Sequence, residues 1–250
     1  MAVIKQTNPN KYKPIFGVVC LVDALGAKNY TDEETINFLQ SRVVIKKAID
    51  DKISDQVESG SINQAQIAVF NDTIIIAIEC EENGNDEYNT IKAMGIIVRK
   101  LISDGISKSI LFRGSIGIGK YYLDLSYDTV IGQAVTDAAN WYEEPDFLGC
   151  ILTPRLALTL KKHQCEYKKP ATNIFVEYDV PLKDGKHEMI CVNWPKAFFV
   201  DSIRPKGCTA GNETKYLHEK LSKNSIPKNT EHKYYNTIKF FKDCTKNYIK

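Results

Sequence analysis

Two apolar, β-branched runs, each stopping at a single carboxylate, constrain this chain more than any other feature. The first, Phe16 to Val22, ends at Asp23 and is followed by Ala24-Leu25-Gly26. The second, Ile67-Ala68-Val69-Phe70, breaks at Asn71-Asp72 and resumes as Thr73-Ile74-Ile75-Ile76-Ala77-Ile78. Runs of this composition read as buried strands, and two of them around a two-residue break read as a hairpin with the acid at its tip. A carboxylate at a strand end costs little beside water or a cation, and roughly several kcal/mol when buried alone. Two such acids are able to share a divalent metal.

Between and after these runs the pattern changes to helical spacing. Thr31 followed by Glu34 has the capping-box spacing, and Ile36, Leu39, Val43, Ile49 and Ile53 carry a stripe to about Val57. A helix is predicted from about Tyr88 to Asp104, with Gly105 as its stop, and a strand over Ile110–Gly119. Lys120–Tyr127 reads as a turn and Gly132–Tyr142 as a helix. Leu148–Leu152 reads as a strand, and Thr153-Pro154 opens a short helix to Leu160. Phe175–Val180 and Glu188–Val192 form a late hairpin. From Asp201 the chain reads as lysine-rich loop ending in an amphipathic helix, Glu231–Tyr248.

The resulting order suits an α+β domain, and its βαββαβ portion is the ferredoxin-like arrangement, with extra C-terminal strands and a C-terminal helix. We divide the chain into a lead-in (1–14), a main domain (15–200) and a lysine-rich extension (201–250).

Composition narrows the function classes. The 250 residues are 43% hydrophobic and 26% charged, an ordinary globular balance with a net charge of +2. That argues against a dedicated nucleic-acid binder, although residues 211–250 carry nine Lys against four acids. No apolar run approaches the roughly 18 residues of a membrane span. The N-terminus lacks a signal-peptide core, so a cytoplasmic location is expected. The seven cysteines are scattered without a CxxC pair and read as buried free thiols.

Four stretches together resemble the catalytic domain of class III nucleotidyl cyclases, over about Ile15–Val192. They are Asp23 before Ala24-Leu25-Gly26, Phe70-Asn71-Asp72, Arg113-Gly114-Ser115-Ile116-Gly117-Ile118-Gly119, and Ile131-Gly132-Gln133-Ala134-Val135-Thr136-Asp137-Ala138-Ala139-Asn140. A weaker fifth is Lys183-Asp184-Gly185-Lys186, similar to the hairpin whose lysine holds terminal phosphates; either Lys183 or Lys186 takes that place.

The resemblance implies intramolecular attack of a nucleoside triphosphate's 3′-hydroxyl on its own α-phosphate. Two Mg²⁺ or Mn²⁺ ions per site would be held by Asp23 and Asp72, with the Ala24 carbonyl completing one shell. Backbone amides from Ala24 to Gly26, Leu25 included, would cradle phosphates, and Leu21 would contact the substrate. It also implies a homodimer with sites at the interface, metal aspartates from one subunit and helix residues from the other.

The departures concern the other half of the site. The helix positions that hold asparagine and arginine in the family hold Thr136 and Asn140 here, so transition-state charge falls to Arg113 or a C-terminal lysine. The base-reading positions hold Ala68 and Thr129, which complete neither the adenine nor the guanine code. This pattern resembles the pyrimidine cyclases of the bacterial Pycsar antiphage system, which make cyclic UMP or CMP on infection. UTP is the favoured substrate. The alternatives are an adenylate cyclase with a divergent base pocket and a catalytically dead nucleotide-binding partner.

Overall fold

The computed structural model describes residues 12–27, 30–124, 129–163, 174–224, 226 and 229–246. Most of the lead-in, Cys165 and the end of the last predicted helix therefore lie outside the described residues. The elements run β1 (Ile15–Ala24), α1 (Asp32–Glu58), β2 (Ala65–Phe70), β3 (Thr73–Glu79), α2 (Glu87–Ser107), β4 (Phe112–Asp124), β5 (Thr129–Gly132), α3 (Gln133–Trp141), β6 (Gly149–Leu152) and α4 (Pro154–Lys162). They continue with β7 (Phe175–Leu182), β8 (Gly185–Val192), two short 3₁₀ turns (Pro195–Phe199 and Asp201–Ile203), α5 (Glu213–Leu221) and α6 (Glu231–Thr245).

The strands form one sheet in the order β2-β3-β1-β4-β6-β8-β7, with β5 pairing the far end of β4. The first four of these, with α1 and α2 as their crossovers, are the ferredoxin-like core of an α+β fold. All pairings are antiparallel except β4 with β6. One sheet face carries Val18, Cys20, Val22, Ile74, Ile76 and Ile78 into the main core, with Ile91, Met94, Ile97, Val98 and Leu101 of α2. The other face carries a smaller cluster, Val19, Leu21, Ala68, Ala77, Tyr121 and Val130, roofed by Ala134 and Ala138 of α3. Gly117 admits this helix, because a Cβ there would stand 2.9 Å from the Ala134 carbonyl oxygen.

Four local expectations change. Gly105 lies inside α2 rather than ending it, because a Cβ there would meet the Phe112 ring at 2.7 Å, and the helix runs to Ser107. Lys120–Asp124 is strand, since β4 keeps pairing with β1 back to Ile15 and then with β5. The late hairpin is tighter than its sequence suggests: Leu182 pairs with Gly185, leaving Lys183-Asp184 as the turn. The extension contains a helix, α5, that buries Tyr216, Leu217 and Leu221.

The extension also packs closely on the sheet. Phe240 stands 5.0 Å from Phe147 and 4.8 Å from Tyr178, ring centre to ring centre, and Phe241 stands 5.0 Å from Phe198.

Candidate active site

Asp23 sits at the end of β1, opposite Thr73 on β3 and Arg113 on β4. Cross-strand partners share a face and side chains alternate. Leu21, Asp23, Thr73, Ile75, Arg113 and Ser115 therefore belong to the α3 side of the sheet. Ser115 confirms that placement by donating its hydroxyl to the Ala138 carbonyl at 2.6 Å. Asp72 reaches the same corner through the β2–β3 turn. Asn71 supplies the left-handed residue that turn requires, φ 53°, a conformation asparagine tolerates. The turn is tied to β1, because the Ala24 amide donates to the Asp72 carbonyl at 3.3 Å. Arg42 donates to the Asn71 carbonyl at 3.4 Å from the α1 side.

The two carboxylates disturb each other. Burial, then the charge of Asp72, pushes the Asp23 carboxyl up from its usual range to about 6, against the lowering influence of Arg113 and the Thr73 hydroxyl. The Thr73 hydroxyl donates to Asp23 at 3.3 Å. Arg113 spends one guanidinium nitrogen on the Glu143 carbonyl, Nη1 to O at 2.7 Å, while its Nε is buried without a hydrogen-bond partner among the described residues. Two acids facing one guanidinium are a donor set with room for further positive charge. Among the described residues no third His, Cys, Asp or Glu joins them. That suits Mg²⁺ or Mn²⁺, which take one or two carboxylates and fill the remaining shell with water and phosphate oxygens. Asp23 and Asp72 are the residues that would hold such an ion.

The loop after β1 differs from its expected role. The Leu25 amide donates to the Leu111 carbonyl at 2.6 Å, and the Ala24 amide is taken by Asp72. Two of the three amides expected to cradle phosphate instead tie the loop to the β2–β3 turn and to the residue before β4. Gly26, at φ 85°, makes the bend beyond them. α1 then begins at Asp32 with a reciprocal cap: the Thr31 amide donates to Glu34 at 2.7 Å, and the Glu34 amide to the Thr31 hydroxyl at 3.2 Å.

The remaining sequence-derived residues fall in other places. Leu21 and Ala68 are buried together in the small cluster beneath α3. Thr129 pairs with Asp124 at the other end of β4 from Arg113, roughly 35 Å along the strand. There it lines a groove of about 500 Å³ with Tyr12, Tyr122 and Ile131. Thr136 and Asn140 are exposed. They lie on the side of α3 away from the sheet, because Ala134 and Ala138 take the inner side. Asn140 borders a cleft of about 410 Å³ with Trp141, Leu182, Asp184, His187 and Met189. Lys183 sits between Glu144 and Glu143, at 3.4 and 3.9 Å, and Lys186 is exposed on β8. One chain thus brings Asp23, Asp72 and Arg113 together, and holds Thr136 and Asn140 on a separate outward surface.

Tyr30 is a residue the sequence reading passed over. Its hydroxyl is buried without a hydrogen-bond partner among the described residues. Burial first, then the charges of Glu34, Tyr234, Asp72 and Asp23, hold its phenol well above the usual range. A loop tyrosine before a helix cap carries no sequence signal that distinguishes it from a packing residue.

No protein-family model matches the chain, and no curated protein matches it. Among solved structures it is similar to an adenylate/guanylate cyclase/hydrolase from Silicibacter pomeroyi, at 14% identity over 72% of this chain and 96% of that one, TM-score 0.44. It is similar to the catalytic core of a rhodopsin-guanylyl cyclase with converted specificity in complex with ATPαS, at 13% identity over 73% and 97%, TM-score 0.47. It is also similar to the adenylyl cyclase CyaB from P. aeruginosa, at 14% identity over 79% and 100%, TM-score 0.41.

Proposed function

We propose that the chain is a metal-dependent nucleotidyl cyclase. The 3′-hydroxyl of a ribonucleoside triphosphate attacks its own α-phosphorus, the bond to the β,γ-diphosphate breaks, and the 3′,5′-cyclic nucleotide and pyrophosphate leave. The observation that carries this reading is the convergence of Asp23 and Asp72 from two separate strand ends beside Arg113. A bound divalent cation would supply charge neutralisation of the triphosphate and activation of the hydroxyl. Arg113 opposes charge on the departing pyrophosphate, and its unpartnered Nε is a donor free for phosphate oxygen.

Thr136 and Asn140 act on the triphosphate of a second copy in a homodimer. Their exposure on the outer side of α3 supports this. Both donate hydrogen bonds without adding charge, which makes turnover slow. Ala68, buried beside Leu21, has no polar group with which to read a base. That supports a purine code that has been lost, and we favour UTP, then CTP, as substrate. The associated cellular role is synthesis of a cyclic pyrimidine messenger in antiphage defence.

Purified protein with Mn²⁺, offered each of the four ribonucleoside triphosphates and analysed for products by mass spectrometry, tests the activity and the base preference. Cyclic UMP or CMP is the expected product. Cyclic AMP alone turns the reading to an adenylate cyclase, and nucleotide binding without any cyclic product turns it to a catalytically dead partner.

A further inference from the structure

We propose that the C-terminal helix α6 sets the position of Arg113 by clamping the 143–148 loop, with Asn236 and Thr237 as positioning residues. This rests on the role given to Arg113 above. Among the described residues the Arg113 guanidinium hydrogen-bonds one carbonyl, that of Glu143, at 2.7 Å. That carbonyl belongs to the connection from α3 to β6, so whatever fixes the connection fixes the guanidinium. Close geometry matters here, because a displacement of about 1 Å at a reacting group costs up to about a hundredfold in rate.

α6 holds this connection at successive points. Asn236 donates its side-chain amide to the Asp146 carbonyl at 2.9 Å. The Asp146 carboxylate lies 2.7 Å from His232 Nε2 and 3.8 Å from Lys233 Nζ. Buried Thr237 accepts the Leu148 amide at 2.8 Å while donating its hydroxyl to the Lys233 carbonyl at 2.7 Å. Phe240, one turn on, packs its ring edge-on to Phe147.

The sheet holds the same segment from the other side. The Asp146 amide donates to the Pro181 carbonyl at 2.8 Å, and Lys183 pairs with Glu143 and Glu144. The connection is thus gripped between the late hairpin and a helix from the lysine-rich extension. Asn236 and Thr237 spend polar groups on this one loop, whereas α6 anchors itself by burying Phe240 and Phe241. Removing the two polar contacts therefore loosens the loop while leaving the helix docked.

The test is a double-mutant cycle on the full chain. Asn236→Ala combined with Thr237→Val is expected to lower kcat about tenfold, with KM for the metal–triphosphate within about twofold. In an Arg113→Ala background the same pair is expected to change kcat less than about twofold, because the group it positions is gone. The single variant Thr237→Ser, which keeps the hydroxyl, is expected to hold kcat within about twofold of wild type.

Equal losses in both backgrounds, or a folded double variant with wild-type kcat, overturn the proposal. If wild type cyclises nothing, the reading of the site fails, and the clamp is judged separately by NMR. The Arg113 Nε–H resonance, assigned by its disappearance in Arg113→Ala, is expected to exchange with solvent about tenfold faster in the double variant than in wild type. An unchanged rate overturns the clamp.

Discussion

Asp23 and Asp72 are fixed by the backbone around them, whereas Thr136 and Asn140 project from α3 with no hydrogen bond from their side chains among the described residues. At the first location a hydrogen bond joins the β2–β3 turn to β1, and a second ties the following loop to the residue before β4. There the fold holds two carboxylates together beside Arg113, and burial and the charge of Asp72 raise the Asp23 carboxyl. At the second location the helix fully buries only Ala134 and Ala138, holds Asp137 against the Thr153 hydroxyl at 2.6 Å, and leaves Thr136 and Asn140 outward. The two surfaces are separate within one chain, and in the proposed homodimer a reaction that uses both draws them from two chains.

The largest effects belong to the corner. Asp72→Ala or Asp23→Asn is expected to lower cyclisation about a thousandfold or more, the scale of losing a metal's stabilisation of transition-state charge. Near-wild-type turnover in either variant removes the corner from the chemistry. The next effect joins the two surfaces. Asn140→Ala alone should lose about tenfold or more, the low end for a preorganised donor. Asp23→Asn subunits mixed with Asn140→Ala subunits should recover about a quarter of wild-type activity. Half of the dimers are then mixed, and each mixed dimer has one intact site. Mixing that restores nothing places both surfaces in the same subunit's site, or outside the site.

The corner was legible because its signal is local. An acid ending a β-branched run and an acid breaking a hairpin are both visible as interruptions of apolar runs, and α2 announced itself by its stripe. α1 announced itself by its cap, although Ile36, Leu39 and Val43 of its expected stripe are exposed and Phe38 and Ile45 are buried instead. What was hidden depends on who touches whom. Gly105 reads as a stop until the Phe112 ring occupies the space where its side chain would be. α5 has too few apolar positions to declare itself and gains its order from burying Tyr216, Leu217 and Leu221. The Arg113 anchor is a backbone carbonyl thirty residues away, and no residue type marks it. The amides of Ala24 and Leu25 looked available for phosphate because a sequence does not show which carbonyls are near.

The pH response sharpens the contrast between strained and relaxed regions. Asp23 has a folded-state value of about 6 against an ordinary 3.8. The fold therefore binds its proton more tightly than the unfolded chain does. The metal-free protein is expected to lose stability as pH rises from about 4 to about 6 and to change little above that. Two units correspond to about 3 kcal/mol, and partial exposure of the carboxyl brings the expected loss nearer 1–2 kcal/mol. Urea unfolding of wild type and Asp23→Asn at pH 4.5 and 7 isolates this contribution: the difference between the two proteins should change by that amount. Mn²⁺ affinity should fall up to about tenfold per unit below pH 6, since the ion must displace the proton. A pH-independent difference between the two proteins means that the corner is not strained.

Tyr30 gives the smallest effect and the most specific one, because stability and function should move in opposite directions. Its buried hydroxyl has no partner among the described residues, and an unsatisfied buried polar group costs about 1–3 kcal/mol. Tyr30→Phe removes the hydroxyl and keeps the ring, which stands 6.0 Å from Phe38. The metal-free variant is therefore expected to be more stable than wild type, by about 1 kcal/mol in urea unfolding. If the hydroxyl meets a phosphate or water oxygen when triphosphate binds, the same variant should bind the metal–triphosphate several-fold more weakly by calorimetry, the cost of about one hydrogen bond. A gain in stability with unchanged affinity makes Tyr30 a packing residue with an idle hydroxyl. A loss of stability means that the hydroxyl is already satisfied within the protein, and the corner then has one fewer group waiting for its ligand.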